Sequence, residues 1–160
     1  MTPRPSRLPP PVLGWREWAA LPDLGVDRIK VKLDTGARTS ALHAFDLEES
    51  EVDGVPVARF EIHPLQRSTR DPMLVEAPVV ARRAVTSSTG HRQIRPVIRT
   101  PVTIGDRTWT IDVTLTRRDE MGFRMLLGRR ALRGVLVDAS RSWLGGRRAV
   151  DPRADGGSAR

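Results

Sequence analysis

Val31-Lys32-Leu33-Asp34-Thr35-Gly36-Ala37 is the stretch on which the fold turns. Ile29, Val31 and Leu33 alternate with Arg28, Lys30 and Lys32, the pattern of a half-buried strand. If the strand persists one residue further, Asp34 projects from the face opposite Ile29, Val31 and Leu33. Gly36 lets the backbone turn sharply and lets another group approach closely. Thr35 can offer its hydroxyl to a neighbouring backbone. A strand end of this kind presents a carboxylate in a tight loop. Asp, Thr and Gly are also common turn residues, so the three letters alone carry little.

Outward from that stretch the dominant period remains two. Trp109, Ile111, Val113 and Leu115 alternate with Thr108, Thr110, Asp112, Thr114 and Thr116. Gly105-Asp106 joins that strand to the apolar residues between Val97 and Ile104 as a hairpin. Asp53-Gly54 marks a second tight turn, and Phe60 and Ile62 continue the alternation. Helical patterning is scarce, and its best candidate is the short segment 129–133, stopped by Gly134. Many short strands at close spacing predict a mostly β barrel or sandwich.

A chain of 160 residues suffices for one domain with a real core. With 39% hydrophobic and 29% charged residues it has an ordinary globular composition. Residues 1–11 are rich in Pro and Arg, and residues 145–160 in Gly and Arg. Both read as disordered tails around a domain at 12–144. There is no cysteine, which excludes disulfides and thiolate metal sites. No signal peptide and no membrane span of roughly 20 apolar residues is seen, so the expected location is cytoplasmic. Half of the net charge of +8 lies in the two tails, which weakens it as a sign of nucleic-acid binding. No RNA-binding motif accompanies it.

A second motif changes the weight of the first. Met125-Leu126-Leu127-Gly128-Arg129 is an apolar strand ending in Gly and Arg. Together, Leu-Asp-Thr-Gly-Ala and a later apolar-apolar-Gly-Arg resemble the retropepsin family of aspartic proteases. The likeness is greater still to a bacterial subgroup, marked by Lys32-Leu33-Asp34-Thr35-Gly36-Ala37-Arg38-Thr39-Ser40-Ala41-Leu42-His43-Ala44 and by Leu115-Thr116-Arg117-Arg118-Asp119-Glu120-Met121. Members of that subgroup have been labelled ATP-dependent zinc proteases and associated with the RimK-type glutamate ligase, which adds glutamates to a ribosomal protein.

The resemblance implies a retropepsin-like closed barrel with one short C-terminal helix. Asp34, Thr35 and Gly36 would form the catalytic loop, with Ala37 and Arg38 beside the substrate. Ser87, Ser88, Thr89, Gly90 and His91 would form the tip of a flap. Leu126, Leu127, Gly128 and Arg129 would support the loop from below. Viral members carry an acid where this chain has Arg38, so Arg129 needs another partner, such as Glu17, Asp46 or Glu48.

Aspartic protease chemistry needs two carboxyls about 3 Å apart sharing a proton. Only one Asp-Thr-Gly occurs, and Asp138-Ala139-Ser140 lacks the glycine and reads as a strand-end turn. The second acid is therefore expected from Asp34 of another copy, in a symmetric homodimer. The family's pattern has Thr35 bonding across the axis.

No metal or other cofactor is expected. His43, His63 and His91 lack metalloprotease spacing, and His63 is in phase with Arg59 and Glu61 on a solvated strand face. His91 could touch substrate, and His43 is read as a local hydrogen-bonding residue. No Gly-rich phosphate loop occurs. Trp15, Trp18, Trp109 and Trp143 are read as packing residues. The paired arginines would favour an acidic peptide if they converged on the cleft. The expected function is a dimeric aspartic endopeptidase acting on a peptide or protein substrate, with an acidic ribosomal-protein tail as the candidate. The alternative is a non-catalytic peptide-binding or regulatory module of the same fold, associated with the ligase.

Overall fold

The computed structural model describes residues 9–64, 72–86, 89–117 and 122–145. Three β units share one core. The largest contains β2 (Arg16–Leu21), β3 (Val26–Leu33), β4 (Ser40–His43), β8 (Ala81–Thr86), β9 (Arg92–Ile104), β10 (Arg107–Thr116) and β11 (Met125–Leu127). Its order is β10-β4-β11-β3-β2-β9-β8, and β9 also pairs with β10. Six strands thus close into a barrel, and β8 extends β9 outward as a two-stranded ribbon. Closure removes the free edges that an open sheet would leave.

The alternation read from the sequence is what the barrel uses. Along β3, Val26, Ile29, Val31 and Leu33 are buried, and along β10 so are Ile111, Val113 and Leu115. β2 keeps the same phase, with Glu17, Ala19 and Leu21 inward, so a carboxylate occupies a core-facing position.

A three-stranded sheet, β5 (Phe45–Val52), β6 (Val55–Ile62) and β7 (Met73–Pro78), packs on the barrel through Phe60, Ile62 and Val75. Asp53 and Gly54 both take positive φ, 52° and 79°, so the β5–β6 turn has the twist that matches its strands. A small parallel pair joins β1 (Val12–Gly14) to β12 (Leu136–Asp138).

The helix expected at 129–133 does not form. The segment is a run of turns in which Ala131 N donates to Gly128 O, Leu132 N to Arg129 O and Val135 N to Leu132 O. Five residues cannot offset the cost of nucleating a helix. The segment is instead fixed by its neighbours, because the Arg129 and Arg130 amides donate to the carbonyls of Ala37 and Arg38 at 2.7 and 3.1 Å. Gly134 ends the run at φ 75°, as expected of a stop.

Candidate active site

Asp34 follows β3 directly, and β11 runs parallel to β3 with Leu127 opposite Leu33. The Asp34 amide donates to the Leu127 carbonyl at 2.8 Å, which extends that pairing by one bond into the loop. The loop then closes on itself. Ala37 N donates to Asp34 O at 3.1 Å, and Gly36 N donates to the Asp34 carboxylate (Oδ1) at 3.0 Å. The carboxylate is thereby oriented by its own backbone. Asp34 is half-buried, while Thr35 and Gly36 are exposed.

The support beneath is tight. A Cβ on Gly128 would lie 2.5 Å from the Thr39 carbonyl oxygen, so only glycine fits there. Gly128 N donates to Ser40 Oγ at 3.1 Å in a buried bond. The guanidinium of Arg129 donates to the Thr35 carbonyl at 3.2 Å. Its partner is a backbone oxygen of the Asp34–Gly36 loop, and not Glu17, Asp46 or Glu48. Glu17 is committed elsewhere, accepting from Leu144 N at 2.8 Å and Gly145 N at 2.6 Å.

Asp34, Thr35, Ala37 and Arg38 are therefore joined by direct bonds to Leu127, Arg129 and Arg130, while Gly36 bonds within its own loop and Gly128 bonds Ser40. Leu126 is buried on β11, opposite Lys32 of β3 and Ala41 of β4. Thr89, Gly90 and His91 are exposed on the separate β8–β9 ribbon, whose last pair is Thr86 and Arg92. Ser87 and Ser88 lie outside the described residues. Ser40 and the Trp15 carbonyl, which accepts from Leu33 N at 2.8 Å, also hold the loop, and sequence reasoning did not single them out. A Ser just after the Asp-Thr-Gly loop is too common to signal such a bond.

Two of the three histidines meet in an unexpected way. His43 and His63 stack on opposite sides of Phe45, with ring centroids 3.9 and 3.8 Å away. His63 is buried and bonds Glu61 at 3.2 Å, so its expected solvated position is overturned. It lies just past the end of β6, where the strand phase no longer applies. His43 bonds the Arg117 carbonyl at 3.1 Å, and the Arg124 guanidinium covers the Phe45 ring. The phenyl ring between the imidazoles prevents both from binding one ion. Among the described residues, no group of three or more His, Asp or Glu side chains could hold a metal. No helix among them is long and apolar enough to cross a membrane.

A family model described as retropepsin-like aspartic endopeptidase RimB matches residues 12–148. The chain is 44% identical over 133 residues to a probable alpha-L-glutamate ligase of Shewanella pealeana, covering 82% of this chain and 29% of that one. It is 40% identical over 126 residues to a protein of the same name from Desulfotalea psychrophila, covering 79% and 27%. The chain thus spans less than a third of the curated relatives it matches. A Legionella pneumophila crystal structure, Lpg0085, described as of unknown function, superposes with a TM-score of 0.68 at 30% identity. That match covers 85% of this chain and 98% of the other.

Proposed function

Because the chain belongs to the RimB-like family of retropepsin-like aspartic endopeptidases, we propose that it is an aspartic endopeptidase that works as a homodimer. The observation that carries this is Asp34 itself. Each chain offers one carboxylate, oriented by Gly36 N in a loop braced by Leu127 and Arg129.

In the dimer, two Asp34 carboxyls about 3 Å apart share one proton. The ionised one takes a proton from water as the water oxygen attacks the scissile carbonyl carbon. The protonated one donates to the carbonyl oxygen. The resulting diol collapses, the C–N bond breaks, and the departing amine takes a proton from a carboxyl. One water is consumed, and a new acid and a new amine are formed. Thr35 locks the two loops across the axis, while Ala37, Arg38 and the flap tip at 87–91 hold the substrate. The substrate class we favour is an acidic or glutamate-modified ribosomal protein, met in the cytoplasm.

A second role is favoured by one observation. The matched relatives are named glutamate ligases, and this chain corresponds to under a third of each. The same fold would then bind a peptide or regulate a ligase without cleaving anything.

One assay separates the two. Purified protein is incubated with an acidic peptide, with and without a pepstatin-type inhibitor, beside Asp34→Asn. Inhibitor-sensitive products that vanish in the variant, with its fold and dimer intact, are expected of the peptidase. Products that persist in Asp34→Asn exclude this mechanism, and the absence of products from the parent favours the binding module.

A further inference from the structure

Beside the proposed catalytic loop lies a cavity of about 330 Å³ whose lining includes four arginines. Arg83 comes from β8, Arg99 from β9, and Arg130 and Arg133 from the turns after Gly128. Thr39 and Ser40 also line it, and the Arg130 amide bonds the Arg38 carbonyl, so the cavity and the loop share backbone.

The cavity holds a single carboxylate, that of Asp112, set against Arg99 across the β9–β10 pair. Arg99 grips it as a fork, Nε to Oδ1 at 2.8 Å and Nη2 to Oδ2 at 3.3 Å. Among the described residues, Arg83, Arg130 and Arg133 have no ion-pair or side-chain hydrogen-bond partner. Three unpaired positive charges around one concavity attract anions, and planar guanidiniums match carboxylates in particular.

We infer that this basin is a distal subsite that reads acidic side chains of the peptide, and that Asp112 is a built-in competitor for it. The inference rests on the peptidase reading and adds the residues that select the substrate. Asp112 occupies one of four guanidiniums in the place a substrate carboxylate would take. A two-fold dimer carries the basin twice, so carboxylates are read on both flanks of the scissile bond. Such an enzyme cuts inside an acidic run rather than at its junction with neutral sequence.

The test uses full-length Asp34→Asn protein, which binds without turnover, and N-acetylated octaglutamate against octaglutamine in titration calorimetry. Octaglutamate should bind more tightly, and the advantage should shrink as salt is raised. Adding Arg130→Ala with Arg133→Ala should weaken octaglutamate binding by about tenfold, with octaglutamine little changed. Adding Asp112→Asn instead should tighten it by about threefold, because Arg99 is released. A purely structural role for the Arg99–Asp112 pair would not produce these opposite signs. Equal affinity for the two peptides, an arginine variant that binds octaglutamate like its parent, or weaker binding after Asp112→Asn would overturn the inference. None of these results touches the peptidase assignment, which the cleavage assay decides separately.

Discussion

Gly128 packs against Thr39 so closely that a Cβ would sit 2.5 Å from the Thr39 carbonyl oxygen and 2.7 Å from its amide nitrogen. Backbone meets backbone there, and neither side is a flexible chain end that could move aside. Gly128→Ala should therefore push β11 away from the loop it supports. We expect a loss of about 3 kcal/mol in urea unfolding, with any peptidase activity lost as well.

Glu17 is almost fully buried, and its carboxylate holds the Leu144 and Gly145 amides against β2. Glu17→Ala would leave two inward-facing N–H groups without an acceptor. The expected cost is about 2–3 kcal/mol, with faster hydrogen exchange at 144 and 145 than elsewhere in β2. Unchanged exchange there would show that the carboxylate does not hold the segment.

The Asp138 carboxyl lies below its ordinary value, chiefly because the Ser140 hydroxyl donates to it at 2.6 Å and next because the Ser140 amide does at 2.9 Å. A carboxyl whose folded pKa is depressed adds stability above its unfolded value of about 4 and loses it as pH falls through the folded value. Ser140→Ala removes the hydroxyl bond alone. Its deficit should be small and constant near pH 7, then fade below about pH 4, measured by thermal unfolding across pH. The group is exposed, so solvent keeps the effect modest.

Thr35 makes no side-chain hydrogen bond among the described residues, and only its carbonyl is engaged, by Arg129. If its hydroxyl bonds across the dimer axis, Thr35→Ala removes two symmetric bonds at once. Sedimentation equilibrium should show association weakened by about 2 kcal/mol, roughly 30-fold in dissociation constant. An unaltered monomer–dimer balance would place the hydroxyl away from the interface.

What was legible in the sequence was whatever is local. The alternation around Leu33 and Ile111 placed two barrel strands, and Asp53-Gly54 and Gly105-Asp106 placed two hairpins. The Asp-Thr-Gly loop and Leu-Leu-Gly-Arg lie side by side, joined by the Asp34–Leu127 and Thr35–Arg129 bonds. What escaped depends on contacts between distant segments. Arg129 reaches a carbonyl, and no charge pattern marks a carbonyl. The amides of Arg129 and Arg130 are drawn to the carbonyls of Ala37 and Arg38, which fixes the expected helix as turns. His63 leaves its strand's phase to stack on Phe45. The four arginines of the basin come from three separate stretches, so no single window of sequence shows them together.

The brace of Arg129 on the Thr35 carbonyl, with the Leu127 bond to Asp34, comes entirely from within one chain. Each half of the proposed catalytic centre is thus finished before it meets its mate. In the proposed dimer, encounter between two copies would then need alignment rather than refolding of either loop. Under dilution below the dissociation constant, turnover should then scale with the square of protein concentration and recover promptly when the sample is concentrated again.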